Sequence, residues 1–468
     1  MSAAGVDARA AALAALTAAL RRKYPLDLAL DEAISAHSLP SRDGGFARAI
    51  ANETMRRFGQ LENLLRHFVP RPPPPHRAGP ALEILLAGAC ELLFLGVPAH
   101  AAVDAANRLA ASDNKAVHFK PLVNATLRRI AREGQTIIAT QDAAHLNTPD
   151  WLWSRWCAAY GNETTRAVAN VHARTPPLDL HYRAPPDPPR HAGEMARAQR
   201  SAGGGQSPDI SHSTTSPLAG LRPDLPRMRG RINLFGNIAR LEHAGNVEEL
   251  DGFAEGAFWV QDFAASLPAR LFGDVHGKRV IDLCAAPGGK TAQLAASGAA
   301  VTAVERDEAR FARLEDNLDR LKLEAKLILA DARDFEPERL ADCVLLDAPC
   351  SATGTIRRHP ELAWLKSAAD IAACSDAAAE LLESAAAMAA PGGALVFAVC
   401  SLEPEEGPEQ IAHFLRRHDE FRRQPISGDE IFGLHELITS DGDLRTLPCH
   451  LAERGGMDGF YAARLARS

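Results

Sequence analysis

Two cysteines each follow a short apolar run that is typical of a buried strand. Cys350 comes three residues after Asp347, and Cys400 directly follows Val399. A thiolate that adds to C6 of a pyrimidine makes C5 reactive enough to attack a sulfonium methyl group. This reaction also needs an acid or hydrogen bond at N3, which Asp347 can provide, and a base that removes the C5 proton. A single cysteine is more often a small core residue, but two beside one carboxylate predict a catalytic site.

A glycine-rich turn upstream of both thiols predicts a cofactor loop. In an open α/β sheet, ligands bind outside the carboxyl ends of the strands, and glycine lets the backbone pass close to them. The helix after the turn presents free N–H groups. Taken alone the turn is weak evidence, because tight strand-to-helix turns use glycine for steric reasons. The candidate cofactor-binding residues here are Cys284, Ala285, Ala286, Pro287, Gly288, Gly289 and Lys290.

Two carboxylates at the next strand ends support this interpretation. Glu305 ends the apolar run 301–304, where it is placed to accept hydrogen bonds from both hydroxyls of a ribose. Asp331 follows the run 327–330, where it can accept a hydrogen bond from an adenine amino group. One such carboxylate is often only solvated. Ligand-like positions at three successive strand ends predict a nucleoside cofactor next to the thiols.

The chain from Arg279 onward alternates between strand and helix patterns, which predicts a doubly wound, Rossmann-like α/β domain with a mostly parallel sheet. Two further strands are predicted to form an antiparallel edge hairpin, near 444–449 and 458–465. The other strands are expected at 279–283, 300–304, 326–329, 342–347 and 394–399. The helices are expected near 290–297, 308–321, 368–390 and 405–417.

The helical spacing of apolar residues in 1–134 predicts an all-α bundle of five to seven helices. Lys and Arg number 17 in this region against 12 Asp and Glu, a balance of +5, whereas the remainder has 35 against 47. A moderately basic helical domain on an acidic body is compatible with selective RNA binding, although charge asymmetry alone is weak evidence. Apolar residues recur at helical spacing in 11–20, 46–58, 61–68, 81–95, 101–110 and 122–130.

The middle of the chain predicts a connecting region. Residues 135–150 are typical of a linker. The three tryptophans of the segment 151–160 are expected to pack in the core rather than to form a base-stacking platform. Residues 184–229, rich in Pro, Gly and Ser, predict a long mobile loop or a locally disordered insertion.

The composition of the chain narrows its class. With 468 residues, 46% hydrophobic and 24% charged, it is typical of a soluble globular protein of two to four domains. The eight cysteines include no CxxC pair or Cys/His ligand spacing, so we expect no metal and a reducing, cytoplasmic location. The N-terminus does not resemble a signal peptide. The most apolar segment, 81–103, contains Glu83, Glu91 and Pro98, which favours buried helices over a membrane span.

Three motifs carry a resemblance to a known family: DLCAAPGGKT at 282–291, DAPCSATGTIRRHPELAW at 347–364 and VCSLEPEE at 399–406. Together they resemble the RNA 5-methylcytosine methyltransferases of the RsmB (Sun, also called Fmu) family. The helical region, with LVNATLRR at 122–129, is similar to the NusB-like RNA-binding domain of that family. The resemblance covers nearly the whole chain. It implies a NusB-like domain at 1–140, a connecting subdomain at 141–250 and a class I methyltransferase domain at 251–468.

The resemblance also implies a role for each candidate residue. S-adenosyl-L-methionine would be the cofactor, and residues 284–290 would form its loop. Cys400 would be the covalent nucleophile, and Cys350 would assist release of the product by elimination. DNA cytosine methyltransferases use the cysteine of a Pro-Cys pair as nucleophile, so the presence of both thiols favours RNA. The carboxylates implied on the cofactor or base side are Glu305, Asp331 and Asp347.

The sequence departs from the family pattern in two places. Val399 stands where the family usually has Thr, and His181-Tyr182-Arg183 replaces the usual continuation of the substrate-binding segment 174–178. The active-site loop also carries three basic residues that are predicted to contact RNA phosphates near the target, which are Arg357, Arg358 and His359.

The leading hypothesis is an S-adenosylmethionine-dependent cytosine-C5 methyltransferase that acts on RNA, with small-subunit (16S) rRNA as the expected partner. The same chemistry on tRNA or another RNA stays open. A noncatalytic RNA-binding or assembly factor is a further alternative, although retention of Cys350, Cys400 and Asp347 argues against it. We expect a monomer that binds no membrane.

Overall fold

The computed structural model describes residues 4–183, 232–242 and 245–468. The Pro/Gly/Ser-rich stretch predicted at 184–229 lies outside these residues. Across the described ranges, no helix combines the length and the hydropathy needed to span a membrane.

The N-terminal third is the predicted helical bundle, although the described residues up to 138 contain eight α-helices rather than five to seven. Leucine- and alanine-rich faces at helical spacing bury two adjoining cores, one around Leu16 and Leu30 and the other around Leu64 and Leu127. The helices are α1 (Ala4–Arg22), α2 (Leu26–Ala36), α3 (Ser41–Arg56), α4 (Phe58–Phe68), α5 (Pro75–Ala78), α6 (Ala81–Leu93), α7 (Ala99–Ser112) and α8 (Lys120–Ile138). Helix α2 was not among the predicted segments, although Leu26, Leu30 and Ala33 form one buried face.

The linker predicted at 135–150 is largely helical. Helix α8 continues to Ile138, and its Gly134 packs closely on Leu93, where an added Cβ would lie 3.2 Å from that side chain. Three further helices follow, α9 (Ala143–Leu146), α10 (Asp150–Tyr160) and α11 (Asn162–His172). Trp156 in α10 is only 1% exposed, which confirms core packing for this tryptophan.

A small antiparallel sheet joins the helices to the catalytic half. Its strands are β1 (Leu178–Tyr182), β2 (Ile232–Phe235), β3 (Ile238–Leu241) and β4 (Phe258–Val260), in the order β2-β3-β1-β4. This sheet was not predicted because buried polar residues obscure its pattern. Asp179 and Arg240 are buried opposite each other, joined by two hydrogen bonds of 2.7 Å, and His181 is buried beside them.

The catalytic half contains the predicted sheet, mostly parallel with an antiparallel edge. The strand order is β10-β12-β9-β8-β5-β6-β7, and β11 pairs with β12. The four parallel pairings join β5 to β6, β6 to β7, β5 to β8 and β8 to β9. The strands are β5 (Arg279–Leu283), β6 (Ala300–Glu305), β7 (Lys326–Leu329), β8 (Ala341–Asp347), β9 (Ala389–Val399), β10 (Phe421–Arg423), β11 (Leu444–Thr446) and β12 (Phe460–Arg467).

The antiparallel edge differs from the prediction in one respect. The predicted hairpin strand β12 is an inner strand, because the short strand β10 pairs with its outer side. With three residues, β10 gives too little alternation to detect from sequence.

Helices cover both faces of the sheet. They are α12 (Phe263–Arg270), α13 (Gly289–Ala296), α14 (Glu308–Leu321), α15 (Leu362–Leu365), α16 (Ala368–Met388) and α17 (Pro408–Leu415). Because β5, β6, β7, β8 and β9 run parallel, their carboxyl ends meet at one edge. That edge carries all the predicted site residues.

The helical half packs directly against the loop that follows β8. Trp364 on this loop contacts Phe58, with ring centroids 4.8 Å apart. Arg56 donates hydrogen bonds to the backbone oxygen of Arg357 at 2.8 Å and to that of His172 at 3.0 Å. The two halves therefore share an interface at the active-site loop.

Candidate active site

The loop between β5 and α13 has the tight geometry that its glycines predicted. Cys284 adopts φ +59°, and Gly288 adopts φ +102° immediately before the helix. A Cβ on Gly288 would also lie 2.7 Å from the Leu314 side chain, so both sterics and backbone conformation require glycine there. Helix α13 starts at Gly289 and directs its first N–H groups towards this edge of the sheet.

The loop forms one wall of a cavity of about 610 Å³. Asp347 and Cys400, at the ends of β8 and β9, line the same cavity, as does Phe460. Pro25 of the helical half also belongs to its lining. The seven predicted loop residues and the proposed nucleophile therefore face a single space.

The two thiols are in contact. Cys350 Sγ lies 3.5 Å from Cys400 Sγ. The hydrogen bond with Cys400 raises the pKa of the Cys350 thiol well above its usual value, and burial and the Glu406 charge add to this. The two sulfurs are close enough to act on adjacent atoms of one substrate.

Cationic groups flank Cys400 and Asp347. Lys290 Nζ donates a hydrogen bond of 2.7 Å to Asp347 and lies 5.1 Å from the centre of the Phe460 ring. Burial lowers the pKa of Lys290, but Asp347 more than offsets this, so the net shift is upward. Arg358 lines the cavity, and its pKa is raised despite burial because it is paired with Asp458, with a further contribution from Cys400. Lys290, Asp347 and Arg358 therefore face the same cavity as Cys400.

The prediction that Arg357 contacts RNA phosphates is wrong. Its side chain is fully buried and forms ion pairs with Asp262 and, at 2.9 Å, with Asp458. Arg358 is 37% exposed and His359 31% exposed at the cavity wall, so both remain candidates for phosphate contact.

Glu305 lies beneath the cofactor loop and is only 2% exposed. Its carboxylate accepts a hydrogen bond of 3.3 Å from the backbone N–H of Ala286, and others of 2.9 and 3.1 Å from those of Arg306 and Asp307. In this structure Glu305 therefore binds the backbone of the glycine-rich loop, next to which the sequence predicted it to lie. Its contact with a ribose stays a prediction.

Asp331 lies beside a smaller cavity of about 60 Å³ that it shares with Cys284. Arg333 binds both oxygens of this carboxylate, at 2.9 and 2.7 Å. These hydrogen bonds hold the pKa of Asp331 well below its usual range. Its predicted contact with an adenine amino group stays a prediction.

The sequence did not reveal the buried carboxylates that organise the active-site loop. Asp262 caps helix α12 by accepting from Ala264 N–H at 3.0 Å and also accepts from Asp458 N–H at 2.9 Å. The position of Asp262, just after strand β4, was the only available signal for its role as a cap.

Comparison with known proteins matches both halves. A family model described as 16S rRNA methyltransferase RsmB/F matches residues 271–466, and a NusB family model matches residues 6–132. The ribosomal RNA small subunit methyltransferase B of Pasteurella multocida is 33% identical over 442 residues, which cover 92% of this chain and 90% of the relative. The chain belongs to the 16S rRNA methyltransferase RsmB/F family.

A second relative agrees with this family membership, and a solved structure agrees with the fold. The enzyme of the same name from Salmonella paratyphi B is 35% identical over 385 residues, 80% of this chain and 82% of the relative. The crystal structure of PH0851 matches 99% of both chains with a TM-score of 0.72 at 24% identity, which supports the fold.

Methyltransferases of this family use S-adenosylmethionine, and the residues present fit it. A nucleoside joined to an amino acid needs an elongated space that reaches the reacting thiol. The 610 Å³ cavity extends from the glycine-rich loop to Cys400 and has polar groups on its walls, including Lys290, Asp347 and Gln261. The small side chains of Ala285 and Ala286 and the glycines that follow keep this wall open.

Proposed function

We propose that this methyltransferase modifies C5 of a cytosine in small-subunit rRNA through a covalent bond between Cys400 and C6. The observation that carries the proposal is the contact between the Cys350 and Cys400 sulfurs, 3.5 Å apart, with Cys400 lining a cavity that also contains Asp347 and the glycine-rich loop. Relatives named ribosomal RNA small subunit methyltransferase B support the substrate class.

The cofactor would be held by residues 284–290 and by the carboxylates beneath and beside the loop. The N–H groups at the start of α13 would bind its polar end. Glu305 would accept from the ribose and Asp331 from the adenine, which requires each to exchange part of the hydrogen bonding described above. S-adenosylmethionine, when bound, supplies a methyl group on a positively charged sulfur.

Cys400 is the nucleophile in this proposal because cations face it. A thiolate rather than a thiol adds to C6, and Lys290 and Arg358 line the same cavity as Cys400. The target cytosine must leave its base stack to reach the cavity.

Asp347 activates the base in this proposal. N3 of cytosine is an acceptor, so Asp347 must carry a proton to bond it. As the thiolate adds to C6, negative charge develops at N3 and draws that proton. The carboxylate that remains is stabilised by Lys290, 2.7 Å away.

Cys350 completes the reaction in this proposal. After methylation, C5 still carries a proton that must leave before the bond between Cys400 and C6 can break. Cys350 lies 3.5 Å from Cys400, so once it has lost its thiol proton to solvent, its thiolate is placed to accept the C5 proton. Loss of the C5 proton restores the C5–C6 double bond and expels the Cys400 thiolate, and N3 returns its proton to Asp347.

The test is to replace each cysteine and look for a protein–RNA adduct on denaturing gels. Cys400→Ala is expected to abolish both methyl transfer and the adduct. Cys350→Ala is expected to methylate once and then accumulate a stable adduct. If Cys400→Ala forms the adduct and Cys350→Ala does not, the two roles are reversed. Bisulfite sequencing of total RNA, with and without the enzyme, identifies the modified RNA and separates rRNA from tRNA substrates.

A further inference from the structure

One buried carboxylate, that of Glu406, lies behind the two thiols. It ends the short 3-10 turn Pro404–Glu406 and is fully buried. The proposed reaction gives it no role. A carboxylate is expensive to bury unless donors surround it, so its partners indicate what it does.

Glu406 binds the two residues that directly follow the cysteines. Its Oε1 accepts a hydrogen bond of 2.7 Å from the backbone N–H of Ser351, and its Oε2 accepts one of 2.6 Å from the Ser351 hydroxyl. The same Oε2 also accepts from the Ser401 hydroxyl. A single carboxylate thus joins the loop that carries Cys350 to the strand end that carries Cys400.

The surrounding hydroxyl groups reinforce this link. Ser351 Oγ and Ser401 Oγ lie 3.2 Å apart, and Thr353 Oγ1 lies 3.3 Å from Ser401 Oγ. All three side chains are fully buried. A fully satisfied buried network of this kind permits little movement of the groups that it joins.

We propose that Glu406 is a positioning residue that fixes the separation of the Cys350 and Cys400 sulfurs, and thereby couples addition at C6 to proton removal at C5. The coupling rests on the roles proposed above for the two cysteines. Both steps act on neighbouring carbons of one base, so both sulfurs must be held precisely. An error of about 1 Å in such a geometry typically costs about 10²-fold in rate.

A charge effect acts in the same direction. The Glu406 carboxylate contributes to the raised pKa of the Cys350 thiol, after the hydrogen bond with Cys400 and burial. By contrast, Lys290 and Arg358 line the cavity together with Cys400. The anion behind Cys350 and the cations on the Cys400 side give the two thiols different electrostatic surroundings.

The geometric part can be tested without substrate by oxidation with diamide. The Cys350 and Cys400 thiols lose two electrons and two protons to diamide, which becomes the hydrazine, and a bond forms between the sulfurs. Rapid formation of this disulfide, identified by peptide mass spectrometry, is expected for the wild-type protein. Glu406→Gln, which keeps the shape but replaces one oxygen with a donor, is expected to lose the rapid phase.

Glu405→Gln is the matched control. Its side chain is the adjacent carboxylate, is 40% exposed and pairs with Arg155 at 2.5 Å. This variant is expected to cross-link at the wild-type rate. Ser401→Ala keeps Glu406 but removes one of the hydrogen bonds to it. The cross-linking rate of this variant is expected to lie between those of Glu406→Gln and Glu405→Gln. Circular dichroism melts confirm that each variant is folded before oxidation.

The catalytic part is tested by steady-state kinetics with RNA. Glu406→Gln is expected to lower kcat by about 10²-fold and to leave KM nearly unchanged, because the residue lies outside the substrate cavity. In a Cys350→Ala background it is expected to slow adduct formation as well. Glu405→Gln is expected to match the wild-type enzyme in each measurement.

The outcomes separate this inference from the proposed function. A wild-type cross-linking rate in Glu406→Gln overturns the positioning role, and slower cross-linking with unchanged kcat overturns the coupling. If Cys400→Ala still methylates RNA while Glu406→Gln still cross-links slowly, the proposed cysteine chemistry fails and the structural role of Glu406 stands.

Discussion

Both halves of this methyltransferase contain ion pairs with at least one buried member, but the surroundings of these pairs differ. In the helical half, Arg9 binds Glu91 between α1 and α6, with hydrogen bonds of 2.5 to 3.0 Å, and neither side chain is more than 7% exposed. In the catalytic half, Lys290–Asp347 and Arg358–Asp458 lie at the cavity wall. The first kind of pair joins two helices, whereas the second kind lies against the proposed nucleophile.

The comparison distinguishes an ion pair that holds two helices together from ion pairs that lie where the proposed reaction takes place. A buried pair seldom adds net stability over an apolar pair of the same shape, yet loss of one member is costly. Arg9 and Glu91 satisfy each other, and neither lines the cavity that contains Cys400. Lys290 and Asp347 face a cavity where charge must change during the proposed reaction. Substitutions in the two kinds of pair should therefore affect different measurements.

Arg9→Met is expected to give the largest effect on stability. It leaves the Glu91 carboxylate buried without its cation, at a cost of about 3–5 kcal/mol in the free energy of unfolding. Burial already raises the pKa of Glu91 even with Arg9 present. Urea unfolding measures the loss, and a double change with Glu91→Leu is expected to recover most of it. A fall in kcat at temperatures where Arg9→Met is folded would contradict the assembly role.

Lys290→Met is expected to act on catalysis instead. It removes the cation that stabilises the carboxylate of Asp347 after proton transfer, and kcat is expected to fall by about 10²–10³-fold. The effect on stability should be smaller than for Arg9, because Asp347 is 28% exposed and can be hydrated. Single-turnover methylation and urea unfolding of the same preparation provide the comparison. A large loss of stability with unchanged kcat would show that the Lys290–Asp347 pair, like the Arg9–Glu91 pair, acts in assembly rather than in catalysis.

The sequence predicted the regular parts of this molecule well, for physical reasons. Strands β5, β6, β8 and β9 are mostly buried apolar runs, and the long helices carry apolar faces at a period that sequence reveals. The small sheet was missed because Asp179, His181 and Arg240 are buried in its strands, where the pattern predicts apolar residues. Long-range pairing between Asp179 and Arg240 makes that burial possible.

The candidate site also contains some residues that the sequence predicted correctly and others that it did not. The thiols, Asp347 and the loop could be predicted because each follows a recognisable strand. Arg357 could not, because a basic run on a loop resembles a phosphate contact, and its partners Asp262 and Asp458 lie 95 and 101 residues away in sequence. The link through Glu406 likewise depends on contacts between residues 55 positions apart. Local pattern locates groups at strand ends but does not show which buried partners hold them.

Glu305→Ala is expected to have an intermediate effect, on cofactor affinity. It removes the proposed acceptor for the ribose hydroxyls and also the carboxylate that holds the backbone of Ala286. We expect S-adenosylmethionine to bind more weakly by about 1–3 kcal/mol, measured by calorimetry. Glu308→Ala, which changes an exposed carboxylate in the first turn of α14, serves as the control. Wild-type affinity in Glu305→Ala would remove this residue from the cofactor site.

Asp27→Asn is expected to have the smallest effect, because it alters a partly exposed pair between the two halves. Asp27 lies 3.1 Å from His359 of the active-site loop, with side chains 49% and 31% exposed. Such a pair contributes at most about 1 kcal/mol. Burial alone would raise the pKa of Asp27, but the hydrogen bond from His359 and nearby cations lower it overall.

The lowered pKa fixes the direction of the pH dependence. The folded protein binds the Asp27 proton more weakly than the unfolded chain does, so the stabilisation is present above the ordinary carboxyl pKa of 3.8 and is lost as pH falls through the lower folded value. Thermal unfolding of wild type and Asp27→Asn should therefore differ at pH 5 to 7 and converge in stronger acid.

Asp31→Asn is the matched control, because Asp31 pairs with Arg48 at 2.5 Å within the helical half. Both variants should lose similar stability, but only Asp27→Asn should change KM for RNA, since only Asp27 contacts the loop at the cavity. An equal change of KM in the two variants would contradict a specific effect of the Asp27–His359 contact on RNA binding.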